Sequence, residues 1–236
     1  VSIQLFGGVT LEFELAPNMV VFSHGFGVRR DGRGMFTEIA QNLPKGYGYV
    51  LFDYYEVDEQ QHTVRITDFA EQTERLKEVL EWTSAQKGVE SVSLIAHSMG
   101  CIVAALAHLG SLDKLILLAP PTSIGERTRK HFTTKKGAEK HDDMWVVPCN
   151  DGTISIIPES LFDQYETVHA ETALLELADE RPYKLIVAGS DGVVTDADYS
   201  RLAQHSNVQY VELAKANHDF EGSARPLLLD EISNTF

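Results

Sequence analysis

Ser91-Val92-Ser93-Leu94-Ile95-Ala96-His97-Ser98-Met99-Gly100-Cys101-Ile102-Val103-Ala104-Ala105-Leu106 is the stretch that decides the fold. Residues 91–97 form an apolar run of strand length, of the kind that suits the inside of a parallel sheet. From Gly100 onward, small and apolar residues predict a helix that runs to Leu109 and ends at Gly110, a residue suited to the position just past a helix C-terminus. A strand that passes so quickly into a helix needs a sharp turn. Ala96 and Gly100, two residues before and two after Ser98, are small enough to leave room for it.

Outward from this unit the same alternation repeats. Strand-like runs at residues 19–23, 47–53, 114–119, 183–188 and 208–213 are separated by helical patterns. The clearest helix covers residues 68–82, with Phe69, Leu76, Val79, Leu80 and Thr83 on one face and Glu71 four residues from Arg75 on another. Asp68 with Glu71 predicts a capped start. Residues 3–6 and 11–15 alternate around Gly7-Gly8 and predict a hairpin leading into the sheet. Strand–helix alternation implies right-handed crossovers and an α/β fold with a mostly parallel, doubly wound sheet, whose chemistry sits at the carboxyl ends of the strands. Residues 120–182 break the pattern with a polar, basic stretch (127–140), a hairpin (144–147 and 153–157, turning at Asn150-Asp151-Gly152) and two short helices (160–165 and 170–178). The reading is one domain, with a core of residues 1–119 and 183–236 and a cap insertion of residues 120–182.

Composition narrows the function classes. The chain has 236 residues and a formal net charge of −15, so its surface repels phosphate backbones and anionic lipid, and neither nucleic acid nor a membrane surface is an expected partner. Two cysteines, Cys101 and Cys149, make no disulfide framework and no metal-ligand spacing, and fit two reduced thiols in a cytoplasmic protein. No signal-peptide pattern opens the sequence given, although a processed secreted chain reads the same way. No metal site, phosphate loop or dinucleotide fingerprint is found, and no cofactor is expected.

The candidate chemistry lies where the strands end. Ser98, on a strand-to-helix turn, has the placement of an exposed nucleophile, and the N-terminus of the following helix aims N–H groups, Met99's first, at negative charge developing there. Acyl transfer needs a second such donor from the loop after residues 19–23, and His24-Gly25-Phe26-Gly27 supplies it as the backbone N–H of Phe26. His24 itself reads as a brace for this loop. Of nine histidines, His218 alone follows the last strand, which makes it the candidate base. His62, His131, His141, His169 and His205 read as solvated, and His97 and His108 as packing residues. Asp191, nearest the end of strand 183–188, leads Asp196, Asp198 and Asp219 as the acid that orients the base. Arg29, Arg30 and Arg33 read as solvated surface, with binding of an anionic substrate group as the alternative. Met144, Trp145, Phe162 and Tyr165 are candidates to line an apolar or aromatic substrate pocket, with gluing the cap to the body as the equal alternative.

In this order, His24-Gly25-Phe26-Gly27, Ser98 on its turn, Asp191 and His218 resemble the α/β-hydrolase superfamily over nearly the whole chain, and within it the small-capped serine esterases that include feruloyl (cinnamoyl) esterases. That resemblance implies hydrolysis of small-molecule carboxylic esters through an acyl-enzyme on a Ser98–His218–Asp191 triad, with aryl or short-acyl esters as the substrate class. Thioesterase, peptidase, acyltransferase and carbon–carbon bond hydrolase are the alternatives on the same residues. Three features depart from the family pattern. Ala96 stands where a glycine is usual, Asp53-Tyr54-Tyr55-Glu56-Val57-Asp58 replaces the usual Asp-x-x-Gly-x-Gly loop, and the loop before Asp191 is one residue short.

Overall fold

The computed structural model describes residues 2–6, 9–58, 60–149 and 152–236. The hairpin turns expected at Gly7-Gly8 and Asn150-Asp151 therefore lie outside the described residues. In chain order the elements are β1 (Ser2–Phe6), β2 (Val9–Glu14), β3 (Asn18–Ser23), α1 (Met35–Gln41), β4 (Tyr47–Phe52), β5 (Glu56–Asp58), β6 (Thr63–Arg65), α2 (Phe69–Ser84), β7 (Ser91–His97), α3 (Met99–Leu106) and β8 (Leu115–Leu118). They continue with α4 (Glu126–Thr133), β9 (Glu139–His141), β10 (Met144–Pro148), β11 (Ile154–Pro158), α5 (Glu159–Thr167), α6 (Ala170–Glu180), β12 (Tyr183–Ala188), α7 (Ser200–Ala203), β13 (Val208–Leu213) and α8 (Ala224–Ser233).

Eight strands form the central sheet in the order β1-β2-β4-β3-β7-β8-β12-β13. β1 and β2 pair antiparallel, as β2 does with β4, and the remaining neighbours are parallel. The interior strands are buried along nearly their whole length, which is why they read as continuous apolar runs rather than alternating ones. Register matters more for function. Ser23 lies beside Ala96, His97 beside Leu118, and Ala188 beside Leu213, so the chain leaves five strands at one common edge.

Local signals account for the helices with two corrections. In α2, Asp68 caps the N-terminus by accepting from the Glu71 N–H at 3.1 Å, and Phe69, Leu76, Val79 and Thr83 face the core. Arg75 pairs with Glu78 at 2.9 Å, however, rather than with Glu71. The helix after Ser98 stops at Leu106, short of Gly110. His108 takes the left-handed conformation (φ 45°) with its side chain in solvent, so it is not a packing residue.

A second, smaller sheet has the order β5-β6-β11-β10-β9. It unites the expected hairpin, seen as antiparallel β10–β11, with two strands from residues 56–65, of which β6 runs parallel to β11. The segment after β4 is thus part of the same layer as residues 139–158. Conversely, α6 packs against α3 and buries Ala170, Leu174, Leu177 and Ala178. It serves as the crossover helix into β12, and residues 120–182 are not set apart as one block. Leu177→Ala is expected to cost about 2–5 kcal/mol of global stability, the range for truncating a buried leucine. Chemical denaturation measures it, and a loss below about 1 kcal/mol would place α6 outside the cooperative core.

Candidate active site

β7 leaves the sheet at Ser98 and turns at once into α3. The turn puts Ser98 at φ 54°, ψ −124°, an unfavourable conformation for a residue with a Cβ, of the sort that costs about 1–3 kcal/mol and is held by its surroundings. Those surroundings are tight. The Ser98 N–H donates to the Leu118 carbonyl at 2.8 Å. A Cβ on Gly100 would lie 2.4 Å from the Ser23 carbonyl oxygen and 2.6 Å from that of His24. Only glycine allows α3 to start this close to the end of β3.

Three side chains from three strand ends meet here. His218 Nε2 lies 2.9 Å from Ser98 Oγ, and His218 Nδ1 lies 2.7 Å from Asp191 Oδ2. The other Asp191 oxygen accepts the N–H groups of Val193 and Val194, both at 2.8 Å. Burial opposes the charge on Asp191, but the bond from His218 and the two backbone donors outweigh it and hold the carboxyl below its ordinary value. An ionised Asp191 accepts a hydrogen bond from Nδ1–H, which leaves Nε2 as acceptor for the Ser98 hydroxyl. The rival acids are elsewhere: Asp219 pairs with Arg33 at 3.0 Å, Asp198 caps the Ser200 N–H at 2.9 Å, and Asp196 borders the adjoining cavity.

Two further histidines surround this group without contacting Ser98 Oγ. His97 Nε2–H donates to the His218 carbonyl at 2.9 Å, with the two rings 4.8 Å apart. Burial first, then the neighbouring His218, pushes His97 down to about 4. His24 braces the next loop as expected. Its Nε2 accepts from the Tyr54 N–H at 3.0 Å, so its Nδ1–H donates to the Gly25 carbonyl at 2.8 Å, and burial keeps the ring neutral by lowering its pKa. The Gly25 carbonyl and the Phe26 N–H belong to one trans peptide and point in opposite directions, so anchoring the carbonyl also aims the N–H.

The unusual segment after β4 completes this brace. Tyr54 and Tyr55 are buried with their rings 4.9 and 5.1 Å from that of His24, and the Tyr54 and Ser23 hydroxyls are 2.7 Å apart. Asp53 accepts both the backbone N–H and Nη1 of Arg30 at 2.8 Å. Arg30 is thus held by a shielded carboxylate of this chain, whereas Arg33, exposed as expected, pairs with Asp219 at the surface.

A cavity of about 460 Å³ opens beside Ser98, Met99 and Phe26. Its walls are Ile124, Thr128 and Phe132, spaced four apart on and just before α4, and Val193 and Val194 beyond Asp191. Met144, Trp145, Phe162 and Tyr165 are not among its lining residues. Phe162 and Tyr165 are fully buried, with Tyr165 turned toward Phe69 of α2, and Trp145 donates Nε1–H to Glu159 at 2.6 Å. These large side chains attach the second layer to the body. The wall comes instead from a stretch read as polar and basic, where the four-residue spacing of Ile124, Thr128 and Phe132 was the available signal. His131, expected in solvent, is exposed at the rim of this cavity. His205 is half-buried and faces Asp179 at 3.1 Å. Both cysteines are free thiols, and among the described residues no cluster of three or more His, Cys, Asp or Glu side chains could hold a metal ion and no helix is long and apolar enough to cross a membrane.

A family model described as alpha/beta hydrolase fold matches residues 18–137. Comparison with curated proteins gives no match. Among solved structures, Est1E from Butyrivibrio proteoclasticus with ferulic acid bound superposes with a TM-score of 0.72 at 16% identity, covering 100% of this chain and 97% of that one. The esterase domain of a Rhodothermus marinus protein gives a TM-score of 0.66 at 19% identity, with 96% and 90% covered. Dienelactone hydrolase from Anabaena variabilis gives 0.61 at 17%, with 99% and 94% covered. At such identities the likeness is one of fold.

The buried neutral His97 sets a pH dependence of folding. An unfolded chain binds the His97 proton below about 6.5, whereas the folded protein resists it until about 4. The unfolded state therefore holds more protons across this window, and stability falls as pH drops through it. His97→Asn, which keeps a donor but does not titrate, is expected to flatten the loss of stability between pH 6.5 and 4.5. Denaturant midpoints at three pH values test this, and a slope equal to wild type refutes it.

Proposed function

Because the chain belongs to the alpha/beta hydrolase fold family, we propose that it is a serine hydrolase that cleaves carboxylic esters through an acyl-enzyme. The observation that carries this reading is the continuous Asp191–His218–Ser98 hydrogen-bonded relay beside an open cavity. Ser98 Oγ attacks the ester carbonyl carbon while His218 Nε2 takes the hydroxyl proton, and Asp191 steadies the imidazolium. The tetrahedral oxyanion is received by the N–H groups of Met99, at the N-terminus of α3 where helical donors lack intrahelical partners, and of Phe26. Collapse breaks the bond to the leaving alcohol, which departs with the proton from His218. Water then gives a proton to His218 and its oxygen to the acyl carbon, and the second collapse returns that proton to Ser98 and frees the acid.

The walls suit a small apolar acyl or aryl group against Phe132, Ile124 and Val194, with α4, the second sheet and α5 acting as the cap. The relay defines the nucleophile and not the leaving group. A panel of oxygen esters, thioesters and amides separates esterase from thioesterase and peptidase activity, and turnover of the oxygen esters is the expected result.

A fluorophosphonate probe is expected to label the wild-type protein and not Ser98→Ala. Persistent labelling of the variant overturns the assignment. Asp191→Asn is expected to lower kcat by about three to four orders of magnitude, because the imidazole loses the partner that selects its tautomer. Near-normal turnover moves the role to another acid.

A further inference from the structure

We propose that Phe132, on α4, positions the oxyanion-binding N–H of Phe26 by clamping its ring, so that the insertion completes the catalytic site as well as walling it. The inference rests on the assignment of Ser98 and Phe26 made above.

Phe26 has little local support of its own. It stands between Gly25, where a Cβ would lie 3.1 Å from that of Ser98, and Gly27, at φ 65°. Two glycines give the segment wide backbone freedom. An oxyanion donor nevertheless has to sit within a few tenths of an ångström of its position. On one side the Gly25–Phe26 peptide is restrained through its carbonyl, which accepts from His24 Nδ1–H at 2.8 Å and from the Tyr55 hydroxyl at 3.4 Å. On the other side the restraint is the ring. Phe26 and Phe132 have centroids 4.6 Å apart, with planes inclined by 38°.

Phe132 is itself fixed. Its ring stands 6.3 Å from that of Phe162, which is fully buried, and Phe162 leads through Tyr165 at 6.1 Å to Phe69 of α2 at a further 5.4 Å. α4 is tied to α5 by Arg129, which pairs with Glu159, with Glu166 at 2.7 Å and with Asp163 at 3.4 Å, and whose guanidinium lies 5.8 Å from the centre of the Phe162 ring. A string of aromatic rings thus runs from the body of the fold through the insertion to Phe26, one of the two residues whose N–H groups must hold their place.

A ring in this place is also a wall for the substrate, and the two roles separate by substrate length. A wall matters for a long acyl chain and hardly for acetate; a clamp on the oxyanion donor matters equally for both. Turnover of p-nitrophenyl acetate and p-nitrophenyl octanoate is measured for the wild type, Phe26→Ala, Phe132→Ala and the double variant, with thermal melts alongside. Phe132→Ala is expected to lower kcat on acetate about tenfold or more, as misplacement of a catalytic group does, with KM changed by less than about threefold. Phe132→Tyr, which keeps the ring, is expected to restore kcat. The double variant is expected to be no slower than the slower single variant, because both remove one contact. Where Phe132→Ala does not fold, Phe132→Leu takes its place in the cycle. Unchanged acetate turnover, or losses that multiply in the double variant, overturns the clamp. A wild type that hydrolyses neither ester overturns the esterase reading itself, which the clamp variants leave untouched.

Discussion

The structure depends on the near contact between Gly100 and the end of β3. A side chain at residue 100 would run into two successive carbonyl oxygens, those of Ser23 and His24. With none there, α3 starts against the sheet edge, Ser98 is forced to φ 54°, and its hydroxyl is lifted out of the sheet plane. Gly25 answers the same crowding from the other strand, since a Cβ there would press on that of Ser98. The sites of the two proposed oxyanion donors, Met99 and Phe26, are thereby brought to either side of one serine by packing alone.

Three histidines within a short distance make different hydrogen bonds because they have different partners. His218 faces an ionised carboxylate and a hydroxyl, which suits it to move a proton. His97 meets a backbone carbonyl in a buried setting, and a charge there would stand beside the imidazolium that His218 becomes in the proposed reaction. Burial keeps His97 uncharged where it would otherwise oppose that step. His24 links the Tyr54 N–H to the Gly25 carbonyl and has to remain neutral to accept from the first while donating to the second. Identical side chains thus serve as proposed base, spacer and strut, and only the atoms around them decide which.

The central sheet was readable from sequence because its interior strands are buried on both faces and so appear as unbroken apolar runs. Ser98, Asp191 and His218 were readable from their places after those runs. The rivals Asp198 and Asp219 are set aside by their partners, Asp198 by the neighbouring Ser200 N–H and Asp219 by Arg33, 186 residues away in the chain, and only a folded chain shows the second. β5 and β6 have three residues each and exist because β11 offers β6 an edge, so no periodicity announces them. Of the two readings given for Phe162 and Tyr165, the packing one fits their burial. Phe162 and Tyr165 advertise hydrophobicity strongly and are drawn fully into the core, whereas Phe132, amid basic residues, stays half-buried and faces the cavity.

An acidic chain would be expected to spread its few arginines over the surface. Instead Arg30 joins the loop after β3 to Asp53 at the end of β4, Arg33 joins the same loop to Asp219 beside His218, and Arg129 gathers three carboxylates of α5 under α4. Each pair connects segments distant in sequence, and one partner of each stands on the loop after β3 or on α4, both of which contribute residues to the cavity. The Arg30–Asp53 pair is well shielded from water, with the Asp53 side chain 5% exposed, so removing either partner strands a buried charge. Such pairs add little net stability but resist being pulled apart singly. That is the property wanted in glycine-rich loops whose backbone has to hold its place while the charge beside it changes.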